Sequence, residues 1–250
     1  MSKVYEAMQH VYTERQPVAQ LRKDASIGIS TSNRIGTAAL PPRRMEREMT
    51  RLHQGITTLL PQIQKPIIQF IGTRQGEGAS TVVWEYGCLI AEKRNKSVLI
   101  VDGDTKTMSQ HHVLGIQSTI SLQELLREEK YLNGSIPKFK DLSLYLCGLG
   151  NEVRVQPQMH ALGNDRENWT KILARFDCVL IDSPPMSLSD DALNFCSIVD
   201  GVVIVVGAET SRAPVVHSLK DHIVKSGGNI LGVVFNKQRH YIPEWVYKNL

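Results

Sequence analysis

The sequence predicts an α/β fold, a parallel, doubly wound sheet flanked by helices, on three observations. Short runs that are apolar almost throughout recur along the chain: Ile67-Ile68-Gln69-Phe70-Ile71, Val98-Leu99-Ile100-Val101, Cys178-Val179-Leu180-Ile181 and Val202-Val203-Ile204-Val205-Val206. Strands of that kind are buried on both faces, as in parallel sheets, whereas half-exposed strands alternate. Stretches with helical periodicity separate the runs, which is the rhythm of β-α-β units. Gly72, Asp102, Asp182 and Asn236 stand where runs end, and open α/β sheets bind ligands at the carboxyl ends of their strands.

From the start of the chain, Val4, Ala7, Met8, Val11 and Tyr12 fall at helical spacing, so residues 3–15 are expected to form a short amphipathic helix. Residues 17–42 lose periodicity and gather Ser, Thr, Gly, Asn and a Pro-Pro pair, the composition of a disordered linker. Residues 1–42 therefore read as an N-terminal extension and 43–250 as the domain. A helix over 43–60 carries Met45, Met49, Leu52, Ile56 and Leu59 on one face, and Pro61 ends it. Strand 67–71, a glycine-rich turn, a helix and strand 98–101 follow. Next come a polar stretch, a helix at 121–127, a strand at 142–146, a loop at 148–160, a helix at 165–175 and strand 178–182. A helix from Asp190, strand 201–206, helix 214–225 and strand 230–235 complete the alternation, and no internal repeat is present.

A chain of 250 residues with 42% hydrophobic content supports one large domain with a core. The net charge of +4 is concentrated at the N-terminus, where the first 65 residues hold ten Lys/Arg against five Asp/Glu. Such a segment suits an acidic membrane surface, nucleic acid or an acidic partner, or is simply a solvated arm. Cysteines 88, 147, 178 and 196 form no C-x-x-C pair and read as buried structural thiols in a reducing, cytoplasmic compartment. The start Met1-Ser2-Lys3-Val4-Tyr5 lacks the apolar stretch of a signal peptide, and no aliphatic run is long enough to span a bilayer.

The chemistry is concentrated in Gly72-Thr73-Arg74-Gln75-Gly76-Glu77-Gly78-Ala79-Ser80-Thr81. Glycines at 76 and 78 let backbone N–H groups curl around a phosphate, and the following helix turns the positive end of its dipole to the same charge. Against the phosphate-loop signature G-x-x-x-x-G-K-[ST], Gly78 and Ser80 are in register, Thr73 replaces the first glycine, and Ala79 stands where lysine is required. The Ser80 hydroxyl and the acids Asp102, Asp104 and Asp182 are the oxygen donors that a nucleotide-bound Mg²⁺ needs. Asp182-Ser183-Pro184-Pro185 makes a rigid turn after its strand, and Asp191 opens the next element as a site acid or a helix cap. A rival reading takes Gly76-Glu77-Gly78 as part of a dinucleotide fingerprint with Asp102 as the ribose acid, but Thr81 occupies the place of its third glycine. His111-His112 reads as loop, and Trp84 and Tyr86 as packing residues.

Taken in order, the blocks Gln75–Thr81, Val98–Lys106, Val179–Pro185, Asp191-Ala192-Leu193, Val199–Val202 and Leu231–Lys237 resemble the cytoplasmic domain of the bacterial tyrosine autokinases of exopolysaccharide and capsule synthesis, which belong with the partitioning and septum-site ATPases. The match runs from about Glu48 to Lys237, and the opening Met1–Met8 is similar to the start of many stand-alone members. The resemblance implies a P-loop NTPase type of fold with bound ATP or ADP and Mg²⁺. It implies that Gly76, Glu77, Gly78, Ala79, Ser80 and Thr81 cradle phosphates and that Ser80, Asp102 and Asp182 hold the metal. Asp102 and Asp104 take the catalytic role of the second acidic motif, and Asn236 lies near the adenine. The implied partner is a membrane polysaccharide co-polymerase of the chain-length determinant type, placing the chain in the cytoplasm at the inner membrane, with no nucleic acid expected. Homo-oligomers in the family assemble through E-x-x-R-x-x-R, and here Glu48, Arg51 and Gln54 occupy those places. The autophosphorylated C-terminal tyrosines would correspond to Tyr241 and Tyr247, which serve equally as packing anchors.

Ala79 is the departure with consequences. By analogy with losing one preorganised donor, absence of the lysine costs on the order of 10²–10³ in rate, about 3–4 kcal/mol. Arg74 and Lys106 are the candidate substitute cations. The expected function is a nucleotide-binding regulator of exopolysaccharide synthesis with weak or absent phosphoryl transfer. The alternatives are a working ATP-dependent tyrosine kinase and a partitioning-type ATPase acting on DNA or membrane.

Overall fold

The computed structural model describes residues 45–103, 120–127, 136, 138–139, 142–149, 166–208 and 210–238. The expected helix 3–15, linker 17–42 and most of the loop 148–160, together with Asp104, Lys106, His111, His112, Tyr241 and Tyr247, lie outside these residues. In chain order the elements are α1 (Glu46–Leu59), β1 (Ile67–Gly72), α2 (Ala79–Lys93), β2 (Val98–Asp102), α3 (Leu122–Arg127), β3 (Leu144–Gly148), α4 (Arg166–Leu173), β4 (Cys178–Asp182), a 3-10 helix (Asp190–Phe195), β5 (Gly201–Gly207), α5 (Ala213–Lys225) and β6 (Ile230–Asn236).

The six strands form one sheet in the order β3-β2-β4-β1-β5-β6, and every pairing is parallel. Side chains alternate across it. Ile68, Phe70, Ile100 and Leu180 meet α1 and α2 on one face, while Ile67, Ile71, Val101 and Ile181 meet α3, α4, the 3-10 helix and α5 on the other. All of β1, β2, β4 and β5 is buried, which is why these strands read as unbroken apolar runs. Each fully buried Leu, Ile or Phe contributes about 1.5–3 kcal/mol relative to its exposed state. Helix α2 is buried from Val82 to Ala91 because α1 covers its outer side, and a Cβ at Gly87 would meet Ile100 and Leu144 at 3.2 Å.

Three expectations shift. The third strand begins at Leu144, two residues late, because Leu142 closes a turn on Phe139 through its N–H before Leu144 accepts from the Phe139 N–H. The segment from Asp190 is a 3-10 helix. There the Ala192 carbonyl accepts from the Gln69 side chain and the Cys196 N–H turns to Leu193, three residues back. Strand β6 lies at the sheet edge, so it is not buried throughout, and Phe235 is 64% exposed. The four cysteines are buried thiols outside any disulfide, with burial raising the Cys178 pKa to about 12 and the Cys196 pKa to about 11. Trp84 packs edge-on against Phe139 and Tyr86 against Phe70, so both are core residues.

Two polar contacts join α1 to α2: an exposed ion pair between Lys93 Nζ and Glu46 Oε1 (3.3 Å), and His53 Nδ1 3.2 Å from the Tyr86 hydroxyl. Burial holds Tyr86 protonated and favours the neutral His53 ring beside it. Burial, with Arg94 and Lys96 nearby, lowers the His53 pKa below its ordinary value. The unfolded chain therefore takes up this proton first as pH falls. The contribution is fully present above about pH 6.5 and is lost as pH drops below it. Thermal unfolding at pH 7.5 and 5.5 should show a larger acid-induced fall in Tm for the natural chain than for His53→Gln, whose amide oxygen accepts at either pH; equal falls refute this.

Candidate functional site

Because β2, β4 and β1 are consecutive in the sheet, their carboxyl ends meet. Asp102 and Asp182 are register partners on adjacent strands, only 2% and 1% exposed, and Phe70 is the partner of Asp182 on the other side. Three backbone links join the strand ends: Gly103 N–H donates to the Asp182 carbonyl (2.7 Å), Ser183 N–H to Phe70 (3.0 Å) and Met186 N–H to Gly72 (3.2 Å). The Pro184-Pro185 turn thereby seats the acidic segment against the start of the phosphate loop.

The loop itself is shaped by Gly76 (φ +84°) and Gly78 (φ +88°) in the left-handed region, which costs a side-chain-bearing residue about 1–2 kcal/mol. Gly78 is the N-cap of α2, which carries no side-chain cap bond and no acidic residue in its first turn. A helix start of this kind presents N–H groups and a positive dipole end to an anion. Ala79, Ser80 and Thr81 form that first turn, and Ala79 brings no charge to it.

Glu77 organises the loop, a role the sequence reading missed. Its carboxylate, 4% exposed, accepts from the Thr73 N–H (2.5 Å), the Thr73 hydroxyl (2.7 Å), the Arg74 N–H (2.9 Å) and the Ser211 hydroxyl. Ser211 belongs to the β5–α5 connection, so that connection grips the loop too. The signal was present in the four-residue spacing from Thr73 to Glu77. Asn236, at the end of β6, donates through Nδ2 to the Glu77 carbonyl (2.9 Å) and accepts the Lys237 N–H at Oδ1 (2.9 Å). A Cβ on Gly78 would lie 2.2 Å from Asn236 Nδ2, so only glycine fits against that clamp.

Gln69 is a second missed residue. Fully buried in mid-strand, it donates to Ser183 Oγ (2.8 Å) and the Ala192 carbonyl (2.6 Å), and its oxygen accepts from Cys196 (3.5 Å). It pins the residue next to Asp182. Among the described residues no cluster of three His, Cys, Asp or Glu could hold a metal. Two buried carboxylates at adjacent strand ends nonetheless repel unless a cation or proton separates them, and oxygen donors of that kind suit Mg²⁺. The residues present fit that ion. Asp191 falls in the 3-10 helix, its side chain outside the described residues. Glu48, Arg51 and Gln54 all lie on the exposed side of α1.

No family model matches the chain. CapB of Staphylococcus aureus is 27% identical over 139 residues, covering 56% of this chain and 61% of that protein. The tyrosine-protein kinase CpsD of Streptococcus agalactiae is 28% identical over 179 residues, covering 70% of this chain and 76% of that protein. The chain is similar to bacterial tyrosine-protein kinases over more than half of its length. It spans only part of some of these relatives, 28% of the length of AmsA of Erwinia amylovora. The chimerical protein CapA2B2 shares the fold at TM-score 0.68 and 23% identity, covering 81% of this chain and 88% of that structure. The septum site-determining protein MinD of Pyrococcus horikoshii, solved with Mg-ADP, shares it at TM-score 0.55 and 22% identity, covering 74% and 76%. Among the described residues no helix is long and apolar enough to cross a membrane.

Proposed function

We propose that this chain is a nucleotide-binding regulator of bacterial exopolysaccharide synthesis, related to the tyrosine-protein kinases but with weak or absent phosphoryl transfer. One observation supports it above the others: the glycine-rich loop and the buried pair Asp102 and Asp182 converge on one rim, while position 79 lacks a cation. In this reading the N–H groups of residues 76–81 take the phosphates of ATP or ADP, and Asn236 and Glu77 keep the loop in shape. Ser80, Asp102 and Asp182 hold Mg²⁺, which when bound neutralises phosphate charge, and Asp104 joins Asp102 in the acidic motif. The regulator acts by docking on a membrane polysaccharide co-polymerase from the cytoplasmic side and assembles into homo-oligomers along the α1 face.

Titrating the full chain with ATP and ADP, with and without Mg²⁺, tests this. Binding that Mg²⁺ strengthens is expected, and that strengthening should disappear in Asp182→Asn. No measurable affinity for either nucleotide would leave a scaffold. The names of its relatives favour a second reading, a working kinase. Label from ATP appearing on Tyr241 or Tyr247, and vanishing in Asp104→Ala, would replace the regulator with that enzyme.

A further inference from the structure

The loop lacks the charge that the phosphate-loop signature carries at position 79, and three cations stand beside it in sequence or in space. Arg74 gives its backbone N–H to Glu77, but its side chain is exposed. Arg212, next to Ser211 at the start of α5, is exposed as well. Lys237 differs from both: it is partly buried, and its backbone is fastened to the loop.

That fastening has three links. The Lys237 N–H donates to Asn236 Oδ1, Asn236 Nδ2 donates to the Glu77 carbonyl, and the Asn236 carbonyl accepts the Ala208 N–H (2.8 Å). Lys237 also holds φ +59°, one of only two non-glycine residues with positive φ among the described residues. A lysine in that region is uncommon, and such conformations persist where surrounding structure demands them. The bend turns the chain off β6 beside residues 77 and 78. Burial lowers the Lys237 pKa, and the negative charge of Glu77 opposes that lowering. That carboxylate already accepts four donors from Thr73, Arg74 and Ser211.

We infer that Lys237 supplies, from the end of β6, the positive charge for the terminal phosphates of a nucleoside triphosphate that Ala79 cannot supply from within the loop. The assignment rests on the nucleotide-binding reading above. A lysine ammonium is a point charge on a flexible four-carbon stem, so it can serve the same phosphates from a different backbone origin. Asn236 is then the anchor that fixes the origin, and Glu77 the counter-charge that holds the ammonium near the loop until an anion arrives.

A double-mutant cycle tests the substitution directly. ATP and ADP affinities of the full chain are measured by calorimetry for the natural sequence, Lys237→Met, Ala79→Lys and the double variant, with unfolding curves as a folding control. Lys237→Met should weaken ATP binding about 10-fold or more, as loss of a charge-assisted bond does, and ADP binding less. Lys237→Arg should retain most of the affinity. In the Ala79→Lys background the Lys237→Met loss should shrink to about threefold or less, because the loop lysine then fills the role. Unchanged ATP affinity in Lys237→Met, or an equal loss in both backgrounds, overturns the assignment while leaving nucleotide binding intact. A natural chain that binds no nucleotide overturns both together.

Discussion

Glu77→Ala should lower unfolding stability by about 2–4 kcal/mol, since it strands the buried Thr73 N–H and removes the acceptor for the Arg74 N–H and two hydroxyls. The penalty for a buried donor without a partner exceeds the net worth of the bond it has lost, and the Thr73 site is closed to water. Urea denaturation measures the loss, and Glu77→Gln should fall between the two. Its amide keeps one accepting oxygen but presents an NH₂ group to donors that need an acceptor. A loss below about 0.5 kcal/mol in Glu77→Ala would mean that the loop holds its shape through its glycines alone.

Ala79→Lys is the converse experiment, a gain rather than a loss. If the missing lysine limits phosphoryl transfer, restoring it should raise ATP turnover or tyrosine labelling by about 10²–10³. Position 79 is the first residue of α2, partly exposed, so a long side chain is accommodated at little cost to stability. An unchanged rate in a variant that unfolds at the same urea concentration would place the defect elsewhere, in the acids or in the partner. The two experiments separate loop shape from loop charge, which the phosphate-loop signature combines in one motif.

Sheet membership was legible because burial on both faces leaves no polar residue in the middle of a central strand except one with a reason. Gln69 is that exception, and its reason, the bonds to Ser183 and Ala192, spans more than a hundred residues of sequence. Periodicity has no access to such a partner. The edge position of β6 was hidden for a related cause: Ile230–Phe235 is as apolar as its neighbours, yet only its place in the strand order leaves Phe235 exposed. Among the site residues, Gly76, Gly78, Asp102 and Asp182 were recognisable as local features, a turn needing positive φ and acids at strand ends.

Composition and order along the chain were therefore sufficient for the parallel sheet, the phosphate-type loop and the absence of its lysine, because each depends on neighbours within a few residues. How that loop is held, and which cation stands beside it, was decided only by folding. Asn236 and Glu77 are separated by 159 residues, and Ser211 and Glu77 by 134. They meet because the strand order β4-β1-β5-β6 carries the β5 and β6 ends to the side of the loop, an outcome of how the strands pair rather than of any local preference.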